Sequence, residues 1–217
     1  MRRFLTPLAL ASTLALPTTA VAADDSFQLW LNPSVAFDLD DNTGVEIETA
    51  QRFRSAGDGP DTYYGRLWLV QKLDSNFSIS GGIERRINDG GSDETRLLQQ
   101  INARSGILRA RARLEQRFVD SADQTGWRFR TRLGVSAPLT DNGRLAFVAD
   151  AETFFTLRPT SNGGDTGLTG LRTHAGIDYE VADNLALGVG YLRNQEILDG
   201  RPDRVGHAPL LSLDYSF

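Results

Sequence analysis

Apolar residues return at every second position along most of this chain, and no helical period takes over after the first two dozen residues. A repeat of two marks a strand with one apolar and one polar face. The clearest case is Ile107–Val119, where Leu108, Ala110, Ala112, Leu114 and Phe118 alternate with Arg109, Arg111, Arg113, Glu115 and Arg117. The chain ends the same way, with Leu211, Leu213, Tyr215 and Phe217 interleaved by Ser212, Asp214 and Ser216. Nine further segments share the pattern: Phe27–Asp40, Val45–Arg54, Thr62–Leu73, Phe77–Ile87, Glu94–Arg104, Trp127–Leu139, Arg144–Leu157, Leu171–Val181 and Leu185–Gln195.

Tight links alternate with longer polar ones. Asp40-Asp41-Asn42-Thr43, Asp74-Ser75-Asn76, Ser105-Gly106, Asp141-Asn142-Gly143 and Ala182-Asp183-Asn184 are short turns rich in Asx and Gly. Ser55–Asp61, Asn88–Asp93, Ser121–Gly126, Glu196–Val205 and above all Arg158–Gly170 are longer and polar. Short turns on one rim and long loops on the other predict an antiparallel up-and-down barrel. Strands of about ten residues also suit a tilted crossing of a bilayer's apolar slab.

A soluble barrel of this size would enclose more volume than its own inward side chains fill. With the apolar faces turned outward to lipid, the design closes without an edge and satisfies every backbone group. The aromatics favour that orientation. Phe53, Tyr63, Phe118, Trp127, Phe155 and Tyr191 gather at the long-loop ends, and Phe37, Phe77, Tyr179, Tyr215 and Phe217 at the tight-turn ends. The fold class expected is therefore all-β, a transmembrane β-barrel. Eleven strands are legible. Bacterial barrels usually have an even number, so about twelve are expected, with Asn32-Pro33 the point of suspicion in the first segment.

The start of the chain has a different character. Met1-Arg2-Arg3, an apolar run from Phe4 to Leu16 and Ala20-Val21-Ala22 have the form of a signal peptide over residues 1–22, leaving a single barrel over residues 23–217. The apolar run is too short for a spanning helix. Export to the outer membrane of a Gram-negative cell is the expected destination. Slightly negative mean hydropathy does not oppose this, because lipid-facing and lumen-facing residues average out.

The formal charge of −5 gives no reason to expect nucleic acid as a partner. With no cysteine and two histidines, neither disulfides nor a metal centre is expected, and no cofactor is implied. Asp38, Asp40, Asp41 and Asn42 do not have the spacing of a calcium loop, since Gly44 is a place late and Thr49 stands where a bidentate Glu belongs. They read better as an Asx-rich turn.

Several stretches carry a resemblance. Phe27-Gln28-Leu29-Trp30, Val45-Glu46-Ile47-Glu48 with Arg52-Phe53-Arg54, Arg113-Leu114-Glu115-Gln116-Arg117-Phe118, Ala151-Glu152-Thr153-Phe154-Phe155, Gly190-Tyr191-Leu192 and the Tyr215–Phe217 end are of this kind. Through them the chain resembles the bacterial outer-membrane proteins grouped as domain of unknown function family 2490. The resemblance implies an outer-membrane barrel, with lipid around it and the barrel-assembly machinery as a partner, and supplies no activity. The final strand also resembles an outer-membrane sorting signal, which would rest on Leu211, Leu213, Tyr215 and Phe217.

The polar faces hold the chemistry. Arg109, Arg111, Arg113, Arg117, Arg128, Arg130 and Arg132 make a basic wall on two adjacent strands, while Glu46, Glu48, Glu115, Asp150, Glu152, Asp178 and Glu180 supply acids around the ring. In an open lumen such a wall favours small or anionic solutes, which makes a narrow channel one expectation. The alternative is a closed structural or interaction barrel, its charges paired across the lumen and its outer loops, chiefly Arg158–Gly170, meeting a partner. A lipid- or ester-hydrolysing enzyme using His174 is a third possibility, but no serine stands in a recognisable triad pattern. No catalytic residue is assigned. His207 reads as an interfacial polar residue at a loop–strand boundary.

Overall fold

The computed structural model describes residues 24–55 and 61–217; residues 1–23, with the expected signal peptide, and positions 56–60 of the Gly/Pro loop lie outside the described residues. The described chain forms eleven strands: β1 (Asp24–Asp38), β2 (Thr43–Arg54), β3 (Thr62–Lys72), β4 (Phe77–Asn88), β5 (Glu94–Ser105), β6 (Leu108–Val119), β7 (Gly126–Pro138), β8 (Leu145–Arg158), β9 (Gly167–Ala182), β10 (Leu185–Glu196) and β11 (Arg204–Ser216). Each pairs with its sequence neighbours, and β1 pairs with β11 to close the barrel.

The expected twelfth strand is absent among the described residues. With an odd count the first and last strands run the same way, so β1 and β11 close in parallel while all other neighbours are antiparallel. Parallel pairing is somewhat weaker per residue. The seam's register runs from Asp24 opposite Arg204 to Ala36 opposite Ser216, but it is interrupted between the Phe27–His207 and Trp30–Leu210 pairs. Pro209 lies in that interruption and Pro33 lies further along the seam, and neither has an N–H to give the ladder. Asn32-Pro33 thus sits inside one continuous strand.

The tight turns are held by their own side chains. Asp40 Oδ1 accepts bonds from the backbone N–H groups of Asn42 (2.8 Å) and Thr43 (2.7 Å), and Asp74 Oδ1 does the same for Asn76 (2.6 Å) and Phe77 (2.8 Å). Those bonds, the one from Asn42 foremost, hold the Asp40 carboxyl below the usual aspartate range. Gly106 and Gly143 supply the positive φ (56° and 71°) that the Ser-Gly and Asn-Gly turns need.

At the opposite rim the strands reach further than the polar sequence implies. β8 continues to Arg158 and β9 begins at Gly167, so the Arg158–Gly170 loop is cut to residues 159–166. Its C-terminal part pairs with β8, Thr156 opposite Gly167 and Phe155 opposite Leu168. Outside the apolar belt a strand needs only ladder hydrogen bonds, and polar or Gly residues supply those as well as apolar ones.

Leu67, Leu69, Ile79, Leu133, Val189 and Leu211 are among the large apolar residues exposed on the outside; Leu133 reaches 69%. Aromatic rings meet near both rims. Phe53 and Tyr63 pack edge to face (6.0 Å between centroids), while Phe37 stacks on Phe217 at 4.9 Å, with Tyr215 edge-on to Phe217 at 4.8 Å. A belt of exposed apolar side chains flanked by aromatics is an inside-out arrangement relative to a water-soluble barrel.

Candidate functional site in the lumen

The register of the strands decides which charges meet inside. Glu48, Arg66, Glu84 and Arg96 lie directly opposite one another on β2, β3, β4 and β5, so the sign alternates from strand to strand. Arg132, Glu152 and Arg172 repeat this across β7, β8 and β9, and Glu115 on β6 lies opposite Arg128. Directly opposed unlike charges stabilise a sheet pair, whereas like charges there oppose it.

Side chains join these rows into one network. Arg66 bonds Glu48 and, at 2.5 Å, Glu84. Arg96 bridges Glu84 (3.3 Å) and Glu94 (2.6 Å). Glu115 takes Arg128 and Arg130, both at 2.6 Å; Arg130 then reaches Glu152 at 2.7 Å, which also holds Arg111. Glu84, Glu115 and Glu152 are at most 1% exposed. A carboxylate so buried is tolerable only when paired and hydrogen-bonded, and each of these has two or more arginines. Aromatic rings complete the lining: Arg52 lies 3.8 Å from the Trp30 ring centroid, Arg130 4.5 Å from Phe154, and Arg113 4.9 Å from Trp68.

A cavity of about 920 Å³ occupies the lumen, and a second of about 400 Å³ lies toward the tight-turn rim. Arg109, Arg111 and Arg132 line both and so stand between them. Fourteen arginines but only five carboxylates border the larger chamber; adding the three glutamates buried behind them leaves a clear cationic excess. The chamber adjoins the side where β10 and β11 carry Gly188, Gly190, Gly206 and Ser212 at interior positions, because small residues leave volume that arginines and aromatics fill elsewhere.

The residues singled out from sequence occupy different places. Arg109, Arg111, Arg113, Arg117, Arg128, Arg130 and Arg132 all border the chamber. Arg109 nevertheless bonds its own turn, the carbonyls of Gly106 (2.6 Å) and Leu108 (2.9 Å). Arg113 holds Gln100 and Arg117 holds Glu94. Among the acids, Glu48, Glu115, Asp150 and Glu152 belong to the network, with Asp150 3.5 Å from Arg132 and 3.4 Å from His174. Glu46, Asp178 and Glu180 make no ion pair among the described residues. Leu211, Leu213, Tyr215 and Phe217 lie on β11 or just after it, and Phe217 is 71% exposed.

His174 has Asp150 as its partner, and no serine hydroxyl bonds it among the described residues. His207 lies within β11 rather than at its boundary, where it bonds the Tyr191 hydroxyl. A wall on β6 and β7 alone understates the site. Arg52, Arg66, Arg86, Arg96 and Arg172 bring arginines from β2, β3, β4, β5 and β9 to the same chamber. Strand alternation already placed most of them inward, but their convergence is a product of barrel closure.

A family model described as a protein of unknown function, DUF2490, matches residues 27–205. No curated protein matches the chain. A similar solved structure, described as KdgM porin, is 11% identical over 74% of this chain and 81% of its own, with a TM-score of 0.47.

Proposed function

Starting from the DUF2490 family, to which this chain belongs, we propose that the protein is a non-enzymatic outer-membrane barrel whose lumen takes up and passes small anions. The observation that carries the reading is the cationic excess around the 920 Å³ chamber. Guanidinium groups clustered between low-dielectric walls raise the local concentration of anions. Arg111 and Arg132, between the two cavities, are the natural selectivity element. The exposed apolar belt supports a lipid surround, and the outward Leu211, Leu213, Tyr215 and Phe217 support recognition by the assembly machinery.

The test is conductance of the purified barrel in a planar bilayer under a tenfold KCl gradient. Single-channel steps with a chloride-selective reversal potential are expected. Cation-selective steps would overturn the reading. A second reading, a closed barrel whose lumen is a salt-bridged core, is favoured by the complete burial of Glu115 and Glu152 between arginines. It predicts no conductance above background in the same experiment.

A further inference from the structure

One wall of the chamber breaks the polar rule of the lumen. Trp30 on β1, Leu192 on β10 and Ala208 on β11 form a buried apolar cluster, with Leu210 packed against it and only partly covered. Trp30, Leu192 and Leu210 all border the chamber. Their neighbours on the same inward faces are Gly190, Asn194, Gly206 and Ser212, so apolar bulk here is a local departure and not a property of these strands. A chamber that only conducts hydrated ions gains nothing from leucines on its wall, because they cannot replace water around an ion.

Two arginines stand beside this patch. Arg52 lies directly opposite Trp30 on β2, with its guanidinium 3.8 Å from the indole centroid; the guanidinium of Arg172 lies 4.8 Å from the same ring, held by Asn194 Oδ1 (3.1 and 3.0 Å) and 3.6 Å from Glu152. The indole is fixed by its N–H, which donates to Gln28 Oε1 at 2.8 Å. Arg52 is 8% exposed and makes no ion pair among the described residues; its guanidinium bonds the Tyr64 hydroxyl, but its Nε has no hydrogen-bond partner there. A buried guanidinium in that state has donors to offer to an incoming acceptor, and its fork geometry suits a carboxylate.

We propose that the chamber binds an organic anion with an apolar body: its carboxylate seats on Arg52 and Arg172, and its apolar part on Leu192 and Leu210. The inference rests on the anion reading above and deepens it, since it assigns the apolar wall a ligand that simple anions do not satisfy. A volume of about 920 Å³ is in the range of small-molecule sites.

The experiment is calorimetric titration of the folded, micelle-held barrel with phenylacetate and, separately, with acetate. Burying roughly half of a phenyl ring is worth about tenfold in affinity, so phenylacetate should bind about tenfold more tightly. Leu192→Asn should bring the two affinities to within about twofold, and Arg52→Gln should weaken phenylacetate by about tenfold. If Leu192→Asn fails to give a heat-modifiable barrel, Leu210→Ser, at the more exposed edge of the patch, makes the same prediction. Equal binding of the two anions by the parent protein would overturn this inference and leave the anion reading standing. No binding of either would count against both, and a tenfold preference surviving in the folded variant would overturn the placement on this wall.

Discussion

Between β2 and β9 the lumen wall is a network of ion pairs rich in arginine: Glu48, Arg66, Glu84 and Arg96 alternate in sign across four strands, arginines face arginines from β5 to β7 (Arg96–Arg117, Arg111–Arg132, Arg113–Arg130), and Glu115 and Glu152 hold those together through Arg130. Between β10 and β1 the wall is made of Gly188, Gly190, Ala208, Ser212 and Ser34, with Trp30 and two leucines as its bulk. The first region, eight of the eleven strands, is crowded with large side chains held by directional bonds. The second is thin, borders the chamber, and is closed by a parallel seam with two prolines. Rigid charge placement and open volume have been allotted to opposite sides, so arginines fixed on one side can face space made by small residues on the other.

That contrast can be broken most severely at Glu152. Glu152→Ala leaves Arg130, Arg111 and Arg172 around an uncompensated site, and removing one partner of a buried pair typically costs about 3–5 kcal/mol. A fall of that size in unfolding free energy should appear in urea titrations followed by heat-modifiable migration; an unchanged midpoint would mean that the network does not hold the barrel.

A smaller effect is expected at Gly82, where a Cβ would stand 2.5 Å from Trp68 Cε3 and 2.8 Å from the Leu67 carbonyl oxygen. Gly82→Ala should cost about 1–3 kcal/mol by overpacking, with tryptophan emission reporting the displaced indole. Wild-type stability and emission would show that the crowded region has slack after all.

At the seam, Phe217→Ala removes the ring stacked on Phe37 and costs about 0.5–1.5 kcal/mol of aromatic pairing beyond the lost buried area. Lower yield of assembled barrel with normal synthesis and export is the expected cellular result. Normal levels of folded barrel would sever the link between this terminus and assembly.

Much of this was legible in the chain. Alternation put Trp30, Phe154 and Tyr64 on inward faces despite their apolar character, and Leu67 and Leu133 outward. Strand direction is another matter, because alternation has no polarity: nothing in Phe27–Asp40 or Leu211–Phe217 distinguishes a parallel partner from an antiparallel one, and the even count usual in such barrels implies a twelfth strand that is absent among the described residues. The β8–β9 loop was overestimated because Gly167, Thr169 and Gly170 are poor in apolar signal yet pair normally. Arg52 and Arg172 stayed inconspicuous for a spatial reason. Neither belongs to the arginine run of β6 and β7, and only closure brings both to the Trp30 ring.

The odd strand count has a consequence for how the chain could be rewired. Asp24 lies at the long-loop rim beside Arg204, while Phe217 lies at the tight-turn rim beside the end of β1. In most domains the ends emerge close together and can be joined, which is why circular permutation succeeds so often. Here a linker from Phe217 to Asp24 would have to run the length of the seam, about 40 Å for a strand of 13 residues. A linker laid along the inner side of that seam would share the lumen with the chamber, so a permutant joined there would also narrow it.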